Sequence, residues 1–278
     1  MANKDYKAFI VEGEAREPLI IDNISKVFFS HENFKIITLP AGQNIYMLWK
    51  KMKKDDFDTD IIEVLRENHA ALQGQLNGLQ RNDFSEIYLF FDCDSHQDNL
   101  SSGDDANVLE QMLHSFDNET ENGKLYISYP MVEALRDFAE DKCGDGEHCF
   151  VSVGELVNYK GMSEKRAKEK DFRKYGITIW KALIKVFAMK ISCLMNQDNT
   201  IDYKQYTEEI NPYEIYIMEK AQIQKQRVYV LSAFPEFLLD YFGIKLWNVC
   251  VKGSGRLQDC LFRKNDDSQI KEQNRKEP

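Results

Sequence analysis

A chain of 278 residues, 43% hydrophobic and 29% charged, can bury a sizeable core and has the balance of an ordinary globular protein, built as one large domain or one domain with a smaller one appended. Its net charge of -10 argues against coating nucleic acid by bulk attraction, while leaving room for a local basic groove. Cys93, Cys143, Cys149, Cys193, Cys250 and Cys260 lack the density and spacing of a disulfide framework, the lead-in is polar, and the apolar region 177–194 carries Lys181, Lys185 and Lys190, so a cytoplasmic protein with no membrane association is expected.

In chain order, Tyr6-Lys7-Ala8-Phe9-Ile10-Val11 reads as a buried strand stopping at Glu12-Gly13. Glu14, Glu17 and Pro18 then suit a helix start, and Leu19, Ile20, Ile21, Ile24, Val27 and Phe28 follow at near-helical spacing. Residues 34–40 read as a second strand closed by Pro40. A helix over 44–54 shows Ile45, Leu48, Trp49 and Met52 on one face, and a longer helix is predicted over 58–79. Ile87-Tyr88-Leu89-Phe90-Phe91 is apolar without alternation, as suits a central parallel strand covered on both faces, and it ends in Asp92-Cys93-Asp94. A polar loop (95–103), a helix (106–116), a turn (118–123) and a fourth strand (124–128) follow.

Strands alternating with helices predict an α/β fold with a parallel sheet and right-handed crossovers, its ligand site beyond the carboxyl ends of the strands. Near 144–148 the character changes. Helical patterns occupy 177–195, 213–226 and 230–242, the last with a kink expected at Pro235. The expected organisation is therefore a metal-binding α/β domain over 1–142, a mainly helical region over 143–264, and a polar, disordered tail over 265–278.

Two core strands that both deliver carboxylates at their C-terminal ends imply a cation, because ionised side chains beside a core need compensation. A protein builds a magnesium site for phosphoryl chemistry in this way. Each part alone is weak, since aspartates are common in turns after strands. Gly13 adds weight, because glycine lets the backbone turn sharply and approach a phosphate closely. The conjunction of Glu-Gly at the first strand end with Asp-x-Asp at the third is the stronger signal.

Phe9-Ile10-Val11-Glu12-Gly13 together with Leu89-Phe90-Phe91-Asp92-Cys93-Asp94 resembles the TOPRIM domain, the metal-binding module of topoisomerases, bacterial primases and several nuclease families. Val11-Glu12-Gly13-Glu14-Ala15-Arg16-Glu17-Pro18 is similar to the opening of the RloB- and AbiL-type proteins of phage defence, which carry an acid where Glu17 stands here. Ser128-Tyr129-Pro130-Met131-Val132-Glu133 resembles their later Asn-Pro-x-Phe-Glu segment. The resemblance ends near residue 140. Ala15-Arg16 departs from a more usual Lys-Thr, Met131-Val132 and Ala134-Leu135 replace a more aromatic context, and Lys50-Lys51-Met52-Lys53-Lys54 has no counterpart.

The resemblance implies that Asp92 and Asp94 hold Mg2+ or Mn2+, that Glu12 shares in metal binding or acts as general acid/base, and that Glu17 and Glu133 complete a second metal site. Read from the residues alone, Glu17 serves equally as a charge at a helix N-terminus, and Glu133 as a first-turn acid after Pro130. His96 is a phosphate contact or a solvated loop residue, and Asp98, Asp104 and Asp105 suit loop and capping positions. Cys143, His148 and Cys149 match no compact zinc pattern. Cys93 suits a small residue packed behind the site.

The candidate nucleic-acid contact is segment 160–174. There Lys160, Lys165, Arg166, Lys168, Lys170, Arg173 and Lys174 outnumber Glu164, Glu169 and Asp171, seven to three. A solvated mixed-charge helix starting near Ser163 is the alternative. By resemblance, the expected function is a metal-dependent endonuclease acting on RNA such as transfer RNA, or on DNA, as a toxic effector of anti-phage defence related in its site to OLD-family and PARIS-type effectors. No Walker A pattern is present, so ATP-driven sensing would need a partner ATPase or sensor. Alternatives are another TOPRIM phosphoryl transfer, such as priming or strand passage, or a non-enzymatic partner-binding component with a structural magnesium ion. The aromatic stretch 234–242 suits packing within one subunit or between copies in a homo-oligomer.

Overall fold

In this computed structural model, residues 6–43, 45–93, 108–139, 148–196 and 201–257 are described. The strands β1 (Tyr6–Val11), β2 (Lys35–Pro40), β3 (Phe84–Asp92) and β5 (Gly123–Ser128) run parallel. A two-residue β4 (Asp117–Asn118), where only a turn is expected from the sequence, pairs antiparallel with β5 and completes the order β2-β1-β3-β5-β4. Ala8, Phe9, Ile10 and Val11 have no exposed surface, so β1 is covered on both faces, as its unbroken apolar run demands.

Crossover handedness distributes the helices. The chain steps outward from β1 to β2 through α1 (Glu17–Phe28), then back past β1 to β3 through α2 (Ile45–Lys54), α3 (Ile61–Asn68) and α4 (Ala70–Gln75). Right-handed crossovers in opposite directions place α1 on one face and α2–α4 on the other. The stretch predicted as one helix over 58–79 is in fact divided at His69, whose backbone is extended (φ -130, ψ 97). Asp60 caps α3 by accepting from Ile62 N at 2.8 Å and Glu63 N at 3.0 Å. Apolar periodicity continues through the division, which is why it is invisible in the pattern. Between β3 and β4 lies α5 (Val108–Ser115).

After β5 the chain forms α6 (Tyr159–Arg166), α7 (Ile177–Leu194), α8 (Tyr203–Glu209), α9 (Pro212–Ile223) and α10 (Ala233–Cys250). A small antiparallel pair, β6 (Phe150–Ser152) with β7 (Arg227–Tyr229), stands beside them. The result is an α/β molecule with a mostly parallel five-stranded sheet flanked by helices and a mainly helical C-terminal region. The aromatic stretch packs within the chain: Phe237 meets the rings of Phe9, Tyr88, Phe90 and Tyr126, and Phe234 stacks on Phe90 with centroids 4.9 Å apart.

Pro235 does not kink this helix. It lies in the first turn of α10, where an amide N–H has no intrahelical acceptor and a proline costs little. The break falls instead at Gly243 (φ 64, ψ -147). The basic segment is also shorter as a helix than expected. Helix α6 stops at Arg166, and Ser163 is buried inside it rather than at its start. Among the described residues no helix is long and apolar enough to cross a membrane. Cys193 is disulfide-bonded, whereas Cys93, Cys149 and Cys250 are buried thiols. The tail 265–278 lies outside the described residues.

Candidate active site

The parallel register delivers the first two acids to one rim. Val11 is opposite Phe90, and Glu12 N extends the ladder by donating to Phe90 O at 3.2 Å. Its carboxylate reaches across to the neighbouring strand, where Glu12 Oε2 accepts from Asp92 N at 3.0 Å. Asp92 is opposite Ser128 on β5, and Cys93 N donates to Ser128 O at 2.9 Å. Three strand ends are thereby tied together, and the Cys93 thiol beside them is buried. Asp94 lies outside the described residues, as do His96, Asp98, Asp104, Asp105 and Cys143.

Glu17 opens α1 and turns back toward the loop, its Oε1 accepting from Gly13 N at 3.1 Å. A Cβ on Gly13 would stand 2.8 Å from Glu17 Oε2, so glycine is what permits this approach. Glu133 follows the cis Tyr129–Pro130 bond and lies in a 3-10 turn, Val132–Arg136. Its side chain is 3% exposed and forms an ion pair with Arg16, whose own side chain is 37% exposed. A carboxylate withdrawn this far from water requires such a countercharge.

Arg16, Glu17, Asp92 and Glu133 line one cavity of about 650 Å3, together with Lys160 and the apolar Met131 and Leu156. Lys160 enters from α6. Its carbonyl accepts from Arg136 Nη2 at 2.9 Å and from Ser163 Oγ at 3.0 Å, while Arg136 Nε donates to Ser163 Oγ at 3.1 Å. These bonds clamp α6 against the turn that carries Glu133.

The remaining predicted basic residues are not brought into this cavity. Arg166 donates to Asp137 Oδ2 at 3.2 Å, Lys170 is 3.7 Å from Glu164, and Arg173 pairs with Asp171 at 2.8 Å. Lys165, Lys168 and Lys174 are exposed. Two positions at the rim carry no signal in the sequence. Arg16 stands out there only as a departure from a familiar motif, and His69 is hidden inside a helical period. The His69 ring lies with Nε2 3.2 Å from Glu14 Oε1 and packs on Gly42, whose N–H donates to Glu12 O at 3.1 Å.

His148 is hydrogen-bonded through Nδ1 to Asp137 Oδ1 at 2.7 Å and Cys149 is buried. The candidate ligands at the rim are all carboxylates, the oxygen donor set that magnesium and manganese accept. Among the described residues no three acids, histidines or cysteines gather as a metal-holding group, and the second aspartate of the motif lies outside them. Neither a protein-family model, nor a curated protein, nor a solved structure matches the chain.

Proposed function

We propose that this chain is a TOPRIM-type, metal-dependent endonuclease. One observation carries the reading: Glu17, Asp92 and Glu133, drawn from three separate stretches of chain, line one cavity at the carboxyl rim of a parallel sheet together with Arg16 and Lys160, and Glu12 accepts from the backbone N–H of Asp92. Ligands of parallel α/β sheets bind at this rim, and a site with both carboxylates and cations suits a metal-bound phosphate.

Asp92 together with Asp94 would hold the divalent ion, and Glu12 lies beside Asp92. Bound there, magnesium or manganese would activate water and neutralise charge developing on the phosphate. Glu12, whose carboxylate accepts from the backbone N–H of Asp92, would exchange a proton with the attacking or leaving oxygen. The resemblance to phage-defence proteins supports a toxic effector acting on RNA such as transfer RNA, or on DNA, under a partner sensor or ATPase.

The test is incubation of the full chain with Mg2+ or Mn2+ and transfer RNA, single-stranded DNA or supercoiled plasmid. New ends should appear in one substrate class, and Asp92→Asn should slow their appearance by about a hundredfold or more. Cleavage that continues undiminished in Asp92→Asn would overturn the proposal.

A further inference from the structure

We infer that Arg16 and Lys160 are the phosphate-binding pair of this cavity, and that Glu133 orients Arg16 instead of ligating a metal. The substrate class, a phosphodiester backbone, rests on the nuclease reading. The division of roles rests on the cavity itself.

Arg16 extends from a buried partner toward open solvent. Its guanidinium is held by Glu133, 3% exposed, yet more than a third of the arginine side chain remains accessible at the cavity. A guanidinium has five donors in a planar fork, so one edge can be spent on a carboxylate while the other faces an incoming anion. Lys160 reaches the same cavity from the other half of the chain. Among the described residues its ammonium has no ion pair, while its backbone is fixed by Arg136 and Ser163. Two cations held on separate, braced elements and facing one opening suit two oxygens of a phosphate.

Glu133 is poorly placed to serve a metal as well. Ligation would require its carboxylate to leave Arg16 and would bring a divalent cation up to the abandoned guanidinium, a like-charge contact in a poorly solvated place. Glu133 is therefore a positioning residue, and its loss should resemble the loss of Arg16.

Two measurements on the full chain separate these roles. Mn2+ binding, followed by electron paramagnetic resonance without nucleic acid, reports the metal site. Anisotropy of a labelled short single-stranded RNA, with a DNA of the same sequence as the second arm, reports the phosphate site, with Ca2+ replacing Mg2+ to suppress cleavage. Arg16→Ala and Glu133→Gln should each weaken RNA and DNA binding about tenfold, and the double variant should be no worse than Arg16→Ala. Lys160→Ala should weaken binding and flatten its salt dependence. Mn2+ affinity should stay within about twofold of wild type in all of them.

A Glu133→Gln chain that loses Mn2+ affinity while keeping its oligonucleotide affinity overturns the assignment. Should Glu133→Gln fail to fold, Arg16→Lys carries the test, because it keeps the charge and loses the fork. It should bind the oligonucleotides about fivefold more weakly with Mn2+ affinity intact, and unweakened binding defeats the inference. A wild-type chain that binds oligonucleotide but cuts nothing with Mg2+ sinks the nuclease reading alone. Binding indifferent to every substitution sinks this one.

Discussion

Glu219 and Glu236 are interior carboxylates whose environment does little to favour their charge. Glu219 accepts from Tyr229 N at 3.1 Å, while its Oε1 and the Oε1 of Glu236 have no hydrogen-bond partner among the described residues. Burial drives both acids well above the usual carboxylate range, and the nearby Asp240 pushes Glu236 further. The unfolded chain releases these protons near pH 4.5, while the folded chain retains them. Their contribution is thus fully present at low pH and is lost as the pH climbs through the raised folded values. Glu219→Gln and Glu236→Gln should match wild type in urea unfolding at pH 4.5 and exceed it at pH 8. The gap should widen by up to about 1.4 kcal/mol per pH unit for each acid. Variants no more stable than wild type at pH 8 would show that both acids are ionised in the folded chain. At this scale the sequence put Glu12 and Asp92 at strand ends, because an apolar run and the point where it stops are local features that patterns report. It was silent about Arg16, because its ion-pair partner Glu133 is buried and far along the chain, and no periodicity records such a pair.

Elements were legible wherever local chemistry agreed with tertiary demand, and illegible where it did not. The apolar runs of β1 and β3 and the acid-proline start of α1 lie where the pattern puts them. At α10 the sequence misleads in an instructive way. Proline is the familiar helix breaker, yet Pro235 occupies a first-turn position that needs no donor. Gly243, which looks harmless, adopts a positive-φ conformation essentially reserved for glycine. A Cβ there would also approach the Tyr203 hydroxyl to 3.1 Å. Gly243→Ala should therefore cost about 1–3 kcal/mol in urea unfolding. A cost near zero would mean that α10 can straighten without penalty. The kink matters because it lies between the aromatic half of the helix, packed on the sheet, and the half that carries Trp247 against Tyr203 and Tyr206.

For the whole molecule, the sheet is finished by residues from the far end of the chain. A boundary near residue 142 follows from composition, which registers where strands give way to helices and cannot register which helix returns to cover them. Phe9, Tyr88, Phe90 and Tyr126 present one aromatic face, and Phe237 of α10 touches all four. Removing a buried phenylalanine ring costs about 3–5 kcal/mol, a large share of the 5–15 kcal/mol that holds a typical domain together. The same return of the chain also reaches the rim. Tyr129 N donates to Leu231 O at 2.7 Å and Leu231 N to Tyr129 O at 2.9 Å, bracing the segment that leads to Glu133, while Lys160 enters the cavity from α6. A fragment ending at residue 142 should therefore lack both a covered sheet and a complete cavity. It should bind a hydrophobic dye, lose near-ultraviolet circular dichroism and unfold without a sharp transition, whereas the full chain should melt in one step by near- and far-ultraviolet signals alike. A fragment that unfolds cooperatively with fixed aromatic signals would mean that the sheet closes its own core and that α10 is an accessory. Failure of the fragment would make sheet, rim and C-terminal helices one cooperative unit, in which the acids from β1 and β3 take up their positions only once the end of the chain has folded back over them.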